Sequence, residues 1–394
     1  MMIIYAAYHQ IVYIKKDRQD FITDDNLYSM ECSEVNEAKF ARSKRAYMNM
    51  NKVRTRIKCL NIMQTIHNKY FGPITDDTSV IVIQCHSNVF LLKTLINSLR
   101  HTLLINSAFL IFSHDHYSYE MNKLISKIEF AKYMQIFYPY SIQLHRNVFP
   151  GAEPKSCVKG LDCVESKFRN PEAAQSKHHW WWQANQIFDH LTALKNFTGP
   201  ILFLEENNYV SPDILITYKV LILLKKRRCD FCEMISLAAH AREVWRYNRT
   251  WGLIRAEPWT DEMPKTAIAF DRKTWNNIKP WKEIFCLYND SNWDRSLKRI
   301  GAEKWAGNIY LITSDAPRVF AIKDCEQNES GCNMEEEIRE IRKFIRSIAK
   351  ELFPLRIKVE VMFSKDYNGS GTGYWSDVRD HELCLHFANQ NVWF

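Results

Sequence analysis

The strongest pattern along the chain begins at Ser79–Cys85 (SVIVIQC), an unbroken β-branched run of the kind found in a strand covered on both faces of a parallel sheet. Residues 91–100 (LLKTLINSLR) then carry apolar side chains at helical spacing. Residues 107–112 (SAFLIF) form a second buried strand, closed by Ser113, His114 and Asp115, and the three segments together read as a βαβ unit. The alternation continues with an amphipathic helix over 119–131, a long helix over 180–195 and a third strand over 200–204 (PILFL), with Glu205 and Glu206 directly after it. Ser211 and Pro212 have the residue types of an N-cap and first helical position for a helix running to Lys226. The expected fold class is α/β with one mixed, mainly parallel sheet. Ligands in such sheets bind beyond the carboxyl ends of the strands, which makes residues 113–115 and 205–208 candidate nucleotide contacts.

On either side of this core the pattern is looser. Up to about residue 71 the chain is polar, basic and helix-leaning without a sustained apolar stripe, so residues 1–78 read as a stem-like N-terminal region. Residues 79–394 form the domain, divided into 79–228 and, from the point where helix/strand alternation gives way to short apolar runs, 229–394. Those runs are 234–239, 266–270 and 309–313, and a charged helix over 334–352 precedes a Cys-containing tail. Residues 1–14 are apolar but broken by His9 and Gln10, shorter than the roughly 20 residues of a spanning helix, and lack a basic n-region and cleavage site. A luminal protein of this sequence is expected to start upstream or to have lost its anchor.

Charge alters the picture little. The excess of 53 Lys and Arg over 45 Asp and Glu is spread along the chain, and its one local run, 39–56, has no RNA-binding or zinc-finger signature beside it. No nucleic-acid partner is expected. The 11 cysteines matter more, because several stand close together: Cys157/Cys163, Cys229/Cys232 and Cys325/Cys332. A zinc reading of Cys229 and Cys232 lacks the second pair of ligands that a closed site needs. Sequons at Asn196, Asn248, Asn289, Asn328 and Asn368 permit glycosylation in a secretory lumen.

Seven segments in order carry a resemblance: FSHD (112–115), SIQL (141–144), KHHWWW (177–182), ILFLEE (201–206), NWD (292–294), PRVF (317–320) and RDHELC (379–384). Together they resemble the N-acetylglucosaminyltransferase II family over about residues 79–384. That resemblance implies a GT-A fold, UDP-GlcNAc as donor, a divalent cation, usually Mn2+, and inverting transfer in beta-1,2 linkage to the alpha-1,6-arm mannose of N-glycans. It also implies residence in the Golgi lumen with a membrane anchor, which this sequence does not display, and it allows a homodimer. Asp294 takes the place of the general base, a role that suits a carboxylate needing only to accept a proton from an aligned hydroxyl. Ser113, His114 and Asp115 take the uridine side, and Lys177 and Trp293 substrate-binding positions, Trp293 shaping the acceptor pocket. Trp181 and Trp182 are given no catalytic role, since aromatic clusters on a helix usually pack a core. The implied disulfides are Cys157–Cys163, Cys229–Cys232, Cys286–Cys384 and Cys325–Cys332, with Cys32, Cys59 and Cys85 free. One further family pair is absent on both sides, where this chain has Trp281 and Lys304.

The chain departs from the family where the cation should sit. The family's EED-His reads Glu205-Glu206-Asn207-Asn208 here, and the second ligand, a His after PRxF, is Ala321. Glu206 and Asn207 therefore make a weakened metal site, since an amide oxygen ligates a hard cation without charge and an alanine does not ligate at all. Asn88 replaces a family Arg near the nucleotide, and Lys265 replaces an Asn in the acceptor site and brings a positive charge. Retained Asp294 favours an active GlcNAc-transferase. The paired loss at Asn207 and Ala321 favours a catalytically silent relative that binds glycan or a partner enzyme, and Lys265 alone favours a different UDP-sugar or acceptor.

Overall fold

The computed structural model describes residues 49–152, 169–238, 244–305, 307–323, 333–354, 356–363 and 367–389. The run Ser79–Cys85 is strand β1, hydrogen-bonded in parallel to β2 (Ala108–His114) and β4 (Ile201–Glu205). Every residue of β1 is buried, and its period of two sorts them: Val80 and Val82 face one core, Ile81 and Ile83 the other. Beyond β2 lies β3 (Lys132–Phe137), a parallel edge strand. On the other side of β4 the order is β8 (Ile268–Phe270), β6 (Met234–Ser236), β9 (Tyr310–Ser314), β7 (Leu253–Pro258) and β11 (Lys358–Val361). The β4–β8, β6–β8 and β7–β9 pairs are antiparallel and the remaining pairs parallel, which is the mixed α/β sheet expected. A separate two-stranded ribbon pairs β5 (Asn208–Val210) with β10 (Val319–Ala321).

One face of the sheet is covered by α2 (Val89–Arg100), α3 (Tyr119–Ile125) and α5 (Ile214–Arg228). The other carries α4 (Pro171–Asn185), α7 (Arg272–Ile278), α8 (Lys282–Leu287), α9 (Trp293–Lys304) and α11 (Val378–Asn389). The helix expected over 180–195 begins at Pro171, where Asn170 accepts hydrogen bonds from the N–H groups of Glu172 and Ala173. It closes in one wider turn over Gln186–His190. Residues Lys177 to Asn185 are all buried, because α4 lies between the sheet and the outer helices. The tryptophans therefore pack mid-helix instead of at a helix start.

Other boundaries differ for identifiable reasons. Helix α5 starts at Ile214, later than the Ser211-Pro212 signal, because Asp213 receives Ser211 Oγ at 2.7 Å and the buried Arg318 Nε at 2.7 Å in place of a capping bond. The helix expected over 119–131 stops at Ile125, and β3 follows, unread in the sequence because Lys132 and Gln135 interrupt its apolar run. Strand β7 alternates buried and half-buried residues, a weaker signal than the runs around it. Within the expected stem, α1 (Met50–Met63) is docked on the edge of the sheet: Val53 and Ile57 pack with Phe137 and Leu144, and Asn61 exchanges two hydrogen bonds with the Phe137 backbone. Helix α6 (Val244–Thr250) precedes β7, and α10 (Met334–Ser347) buries Ile338 and Ile341 against Phe320 and Ile322. Among the described residues no helix is long and apolar enough to cross a membrane.

Cys229–Cys232 closes the end of α5, and Cys286–Cys384 joins α8 to α11. Cys157, Cys163, Cys325, Cys332 and Cys32 lie outside the described residues. Cys85 is free and buried. Cys59, expected to be free, is disulfide-bonded; it lies 2% exposed on α1, in a segment from which the quoted motifs are absent. The Lys304 ammonium stands 4.1 Å from the centre of the Trp281 ring, a cation–π contact between the two positions at which the resemblance implies a lost disulfide.

Candidate active site

The site is organised by α4, whose successive residues reach its two sides. On the side expected to meet the nucleotide, His179 places Nε2 2.8 Å from Ser113 Oγ and Nδ1 3.4 Å from Asp115 Oδ2. The same carboxylate oxygen takes His86 Nδ1 at 2.6 Å, and the Asp115 N–H donates to the Cys85 carbonyl. Burial works against charge on His86, but Asp115, Glu206 and Glu205 outweigh it and push the imidazole up to about 10. Asp115 is itself buried, yet His86 and His179 hold its carboxyl below the usual range. His114 turns the other way, stacking on Phe137 with ring centres 4.8 Å apart, and burial pushes it down to about 3. Of the three expected uridine contacts, then, Ser113 and Asp115 meet in one cluster and His114 packs into the core. His86, which sequence reasoning passed over, is the member with an exposed side chain, 41%. Its signal was its place directly after β1.

The β4–β5 turn carries the positions implied for a cation. Glu206 is 3% exposed, and its two carboxylate oxygens accept the N–H groups of His86 (2.8 Å) and Asn88 (3.0 Å); burial pushes its carboxyl up to about 7. Asn88 caps α2, accepting from Phe90 and Leu91. Asn207 and Ala321 are brought side by side, since Ala321 pairs with Asn208 across the ribbon and the Ile322 N–H donates to the Asn207 carbonyl at 2.8 Å. The Asn207 side-chain oxygen accepts from Asn208 at 3.1 Å. These residues do not fit a divalent ion: the buried carboxylate is committed to backbone, the amide oxygen is engaged, and Ala321 offers a methyl group. Among the described residues the grouping of three metal-type donors is His86, Asp115 and His179, which includes neither Glu206 nor Asn207.

On the other side, Trp180 stacks flat on Trp293, with ring centres 4.3 Å apart and planes 3° from parallel, fixing the first turn of α9. Asp294 follows on that turn. Its Oδ2 receives the Lys298 ammonium at 3.0 Å, while Oδ1 accepts no hydrogen bond among the described residues. Lys298, 2% exposed, also reaches Asp261 at 3.1 Å and lies over the Trp259 ring. Asp290 holds the approach to α9: one oxygen accepts from Asn292, the other from Thr372. Lys177 is wholly buried, and its ammonium donates to the Asp290 carbonyl at 2.7 Å and sits 4.0 Å from the Trp375 ring centre, beneath the loop that leads to Asp294. Lys265 is exposed, one residue before Thr266, whose hydroxyl donates to Asn208 at 2.6 Å. Lys298 and Asp261 were not read in the sequence, since only folding brings Asp261 to α9.

A profile of the family described as N-acetylglucosaminyltransferase II matches residues 54–384. The alpha-1,6-mannosyl-glycoprotein 2-beta-N-acetylglucosaminyltransferase of Mus musculus is 30% identical, over 78% of this chain and 74% of its own length. Its Homo sapiens counterpart is 28% identical, over 83% and 77%. Among solved structures, a mannosyltransferase from Pyrobaculum calidifontis in complex with GDP-Man and Mn2+ is 9% identical with a TM-score of 0.33, covering 78% of this chain and 79% of that one. The family profile spans α1 to α11 and so takes in both sides of the site, and the chain belongs to the N-acetylglucosaminyltransferase II family of glycosyltransferases.

Proposed function

We propose that this chain transfers GlcNAc from UDP-GlcNAc, with inversion, to the 2-hydroxyl of the alpha-1,6-arm mannose of N-glycans in the Golgi lumen, with Asp294 as general base. The observation that supports it most is the Asp294 carboxylate, anchored through Oδ2 to Lys298 and open at Oδ1, on a helix start fixed by the Trp180–Trp293 stack. As the acceptor oxygen bonds to C1 of the sugar, its proton passes to Asp294, and the bond from C1 to the β-phosphate oxygen breaks with its electron pair remaining on UDP. Asp294→Asn is expected to lower turnover by a factor on the order of 10² to 10⁴ while UDP affinity stays unchanged. Transfer at the parental rate by this variant would remove the assignment.

A second reading, a silent relative that binds glycan or a partner enzyme, is favoured by one observation: Asn207 and Ala321 stand together without a charged donor. A transfer assay of the unaltered chain with UDP-GlcNAc and an N-glycan bearing a free alpha-1,6-arm mannose separates the two.

A further inference from the structure

We propose that this chain holds the diphosphate of its nucleotide donor without a resident divalent ion, the ammonium of Lys265 supplying the positive charge. The proposal rests on the nucleotide-sugar function argued above and deepens it. Strand β8 runs antiparallel to β4 with Ile268 opposite Phe203, so the residues before β8 emerge beyond the carboxyl end of β4, beside the β4–β5 turn. The ladder breaks at Ala267, a buried residue at φ +58°, in the left-handed region that a side chain with a Cβ rarely adopts. Two bonds hold it there: the Leu237 N–H donates to the Ala267 carbonyl at 3.1 Å, and Thr266 Oγ1 donates to Asn208 at 2.6 Å. The strained turn therefore binds Thr266 to the residue next to Asn207 and brings Lys265 out at the same place.

Lys265 differs from the other cations of the site. Lys177 and Lys298 are buried and committed to carbonyls or carboxylates, and the charge of His86 is paired with Asp115. Lys265 is exposed and has no partner among the described residues. A diphosphate arriving at a strand end that already carries Glu205 and Glu206 needs a positive charge, and neither Asn207 nor Ala321 provides one. An ammonium on a flexible four-carbon stem donates up to three charge-assisted hydrogen bonds to phosphate oxygens. As the bond to C1 breaks, Lys265 donates a hydrogen bond to the oxygen that keeps the electron pair, and retains its proton.

Calorimetry of the full chain with UDP, in EDTA and in Mn2+, tests this. The expected result is equal UDP affinity in both, weakened by roughly 10- to 100-fold in Lys265→Met, as for loss of a hydrogen bond to a charged group, and largely kept in Lys265→Arg. Lys265 is exposed, so neither substitution disturbs a buried contact. UDP binding that appears only with Mn2+, or that is indifferent to Lys265→Met, overturns the proposal and leaves the transferase reading intact. Absence of UDP binding in both conditions overturns both.

Discussion

Asp294 and Asp261 share one buried ammonium, and the consequence is geometric: with Oδ2 held by Lys298, a single oxygen of Asp294 is left to take a proton. In contrast, Asn207 and Ala321 stand side by side where the resemblance implies a ligand pair, and offer an amide and a methyl group. Because the β5–β10 register already sets them side by side, restoring donors needs no movement of the backbone. Asn207→Asp combined with Ala321→His is expected to make UDP binding tighter in Mn2+ than in EDTA, with the two substitutions non-additive because they act on one ion. UDP titrations of the parent, the two single variants and the double variant measure this. A double variant indifferent to Mn2+ would show that Glu206, drawn onto the His86 and Asn88 backbone, has remade the turn around itself.

At the scale of elements, two side-chain links join the outer helices around Asp294 to one another, one covalent and one a cation–π contact. Cys286–Cys384 closes 98 residues between α8 and α11, and Trp281 with Lys304 joins the start of α8 to the end of α9. The cation–π contact is partly exposed and worth about 0.5–1 kcal/mol, so the disulfide carries the greater share of that attachment. Replacing both Cys286 and Cys384 by Ser is expected to destabilise the fold by about 2–5 kcal/mol in denaturant unfolding. A change under 1 kcal/mol would mean that Trp375 and Phe387 hold α11 without it. Elements with a strong period were legible in the sequence, β1, β2, β4 and α2 above all. The start of α4 was not, although Asn170-Pro171 is an N-terminal signal, because the first turns of the helix, Pro171 to Ser176, carry no apolar stripe. Strand β3 escaped because its Lys132 hides its charge by donating to the Phe71 carbonyl, a contact that only the fold supplies.

For the molecule as a whole, the His86–Asp115 pair links stability to pH. His86 rises from its ordinary 6.5 to about 10 in the folded chain, so its contribution is fully present below about 6.5 and is lost as pH climbs through 10. Asp115, held low, contributes above its ordinary 3.8 and ceases to as the medium becomes strongly acid. The stability difference between parent and His86→Ala, measured by urea unfolding, is expected to be larger at pH 6 than at pH 10.5. A difference independent of pH would exclude an ionic pair. The order of motifs made the family legible without a structure, since its marks, Asp294 and Asp115 among them, lie in short contiguous signatures. The convergence of His86, Asp115 and His179, and of Asp261 with Lys298, was not, because those residues are remote in sequence. Finally, the far edge of the nine-stranded sheet is β11, whose outer rim goes on into Val361, Met362 and Phe363, the last 76% exposed. Lys358 and Glu360 are the charged residues along that strand. Those two side chains pair with each other at 2.6 Å, so among the described residues the outer edge of β11 is unpaired and carries almost no net charge to keep a second copy from adding a strand there.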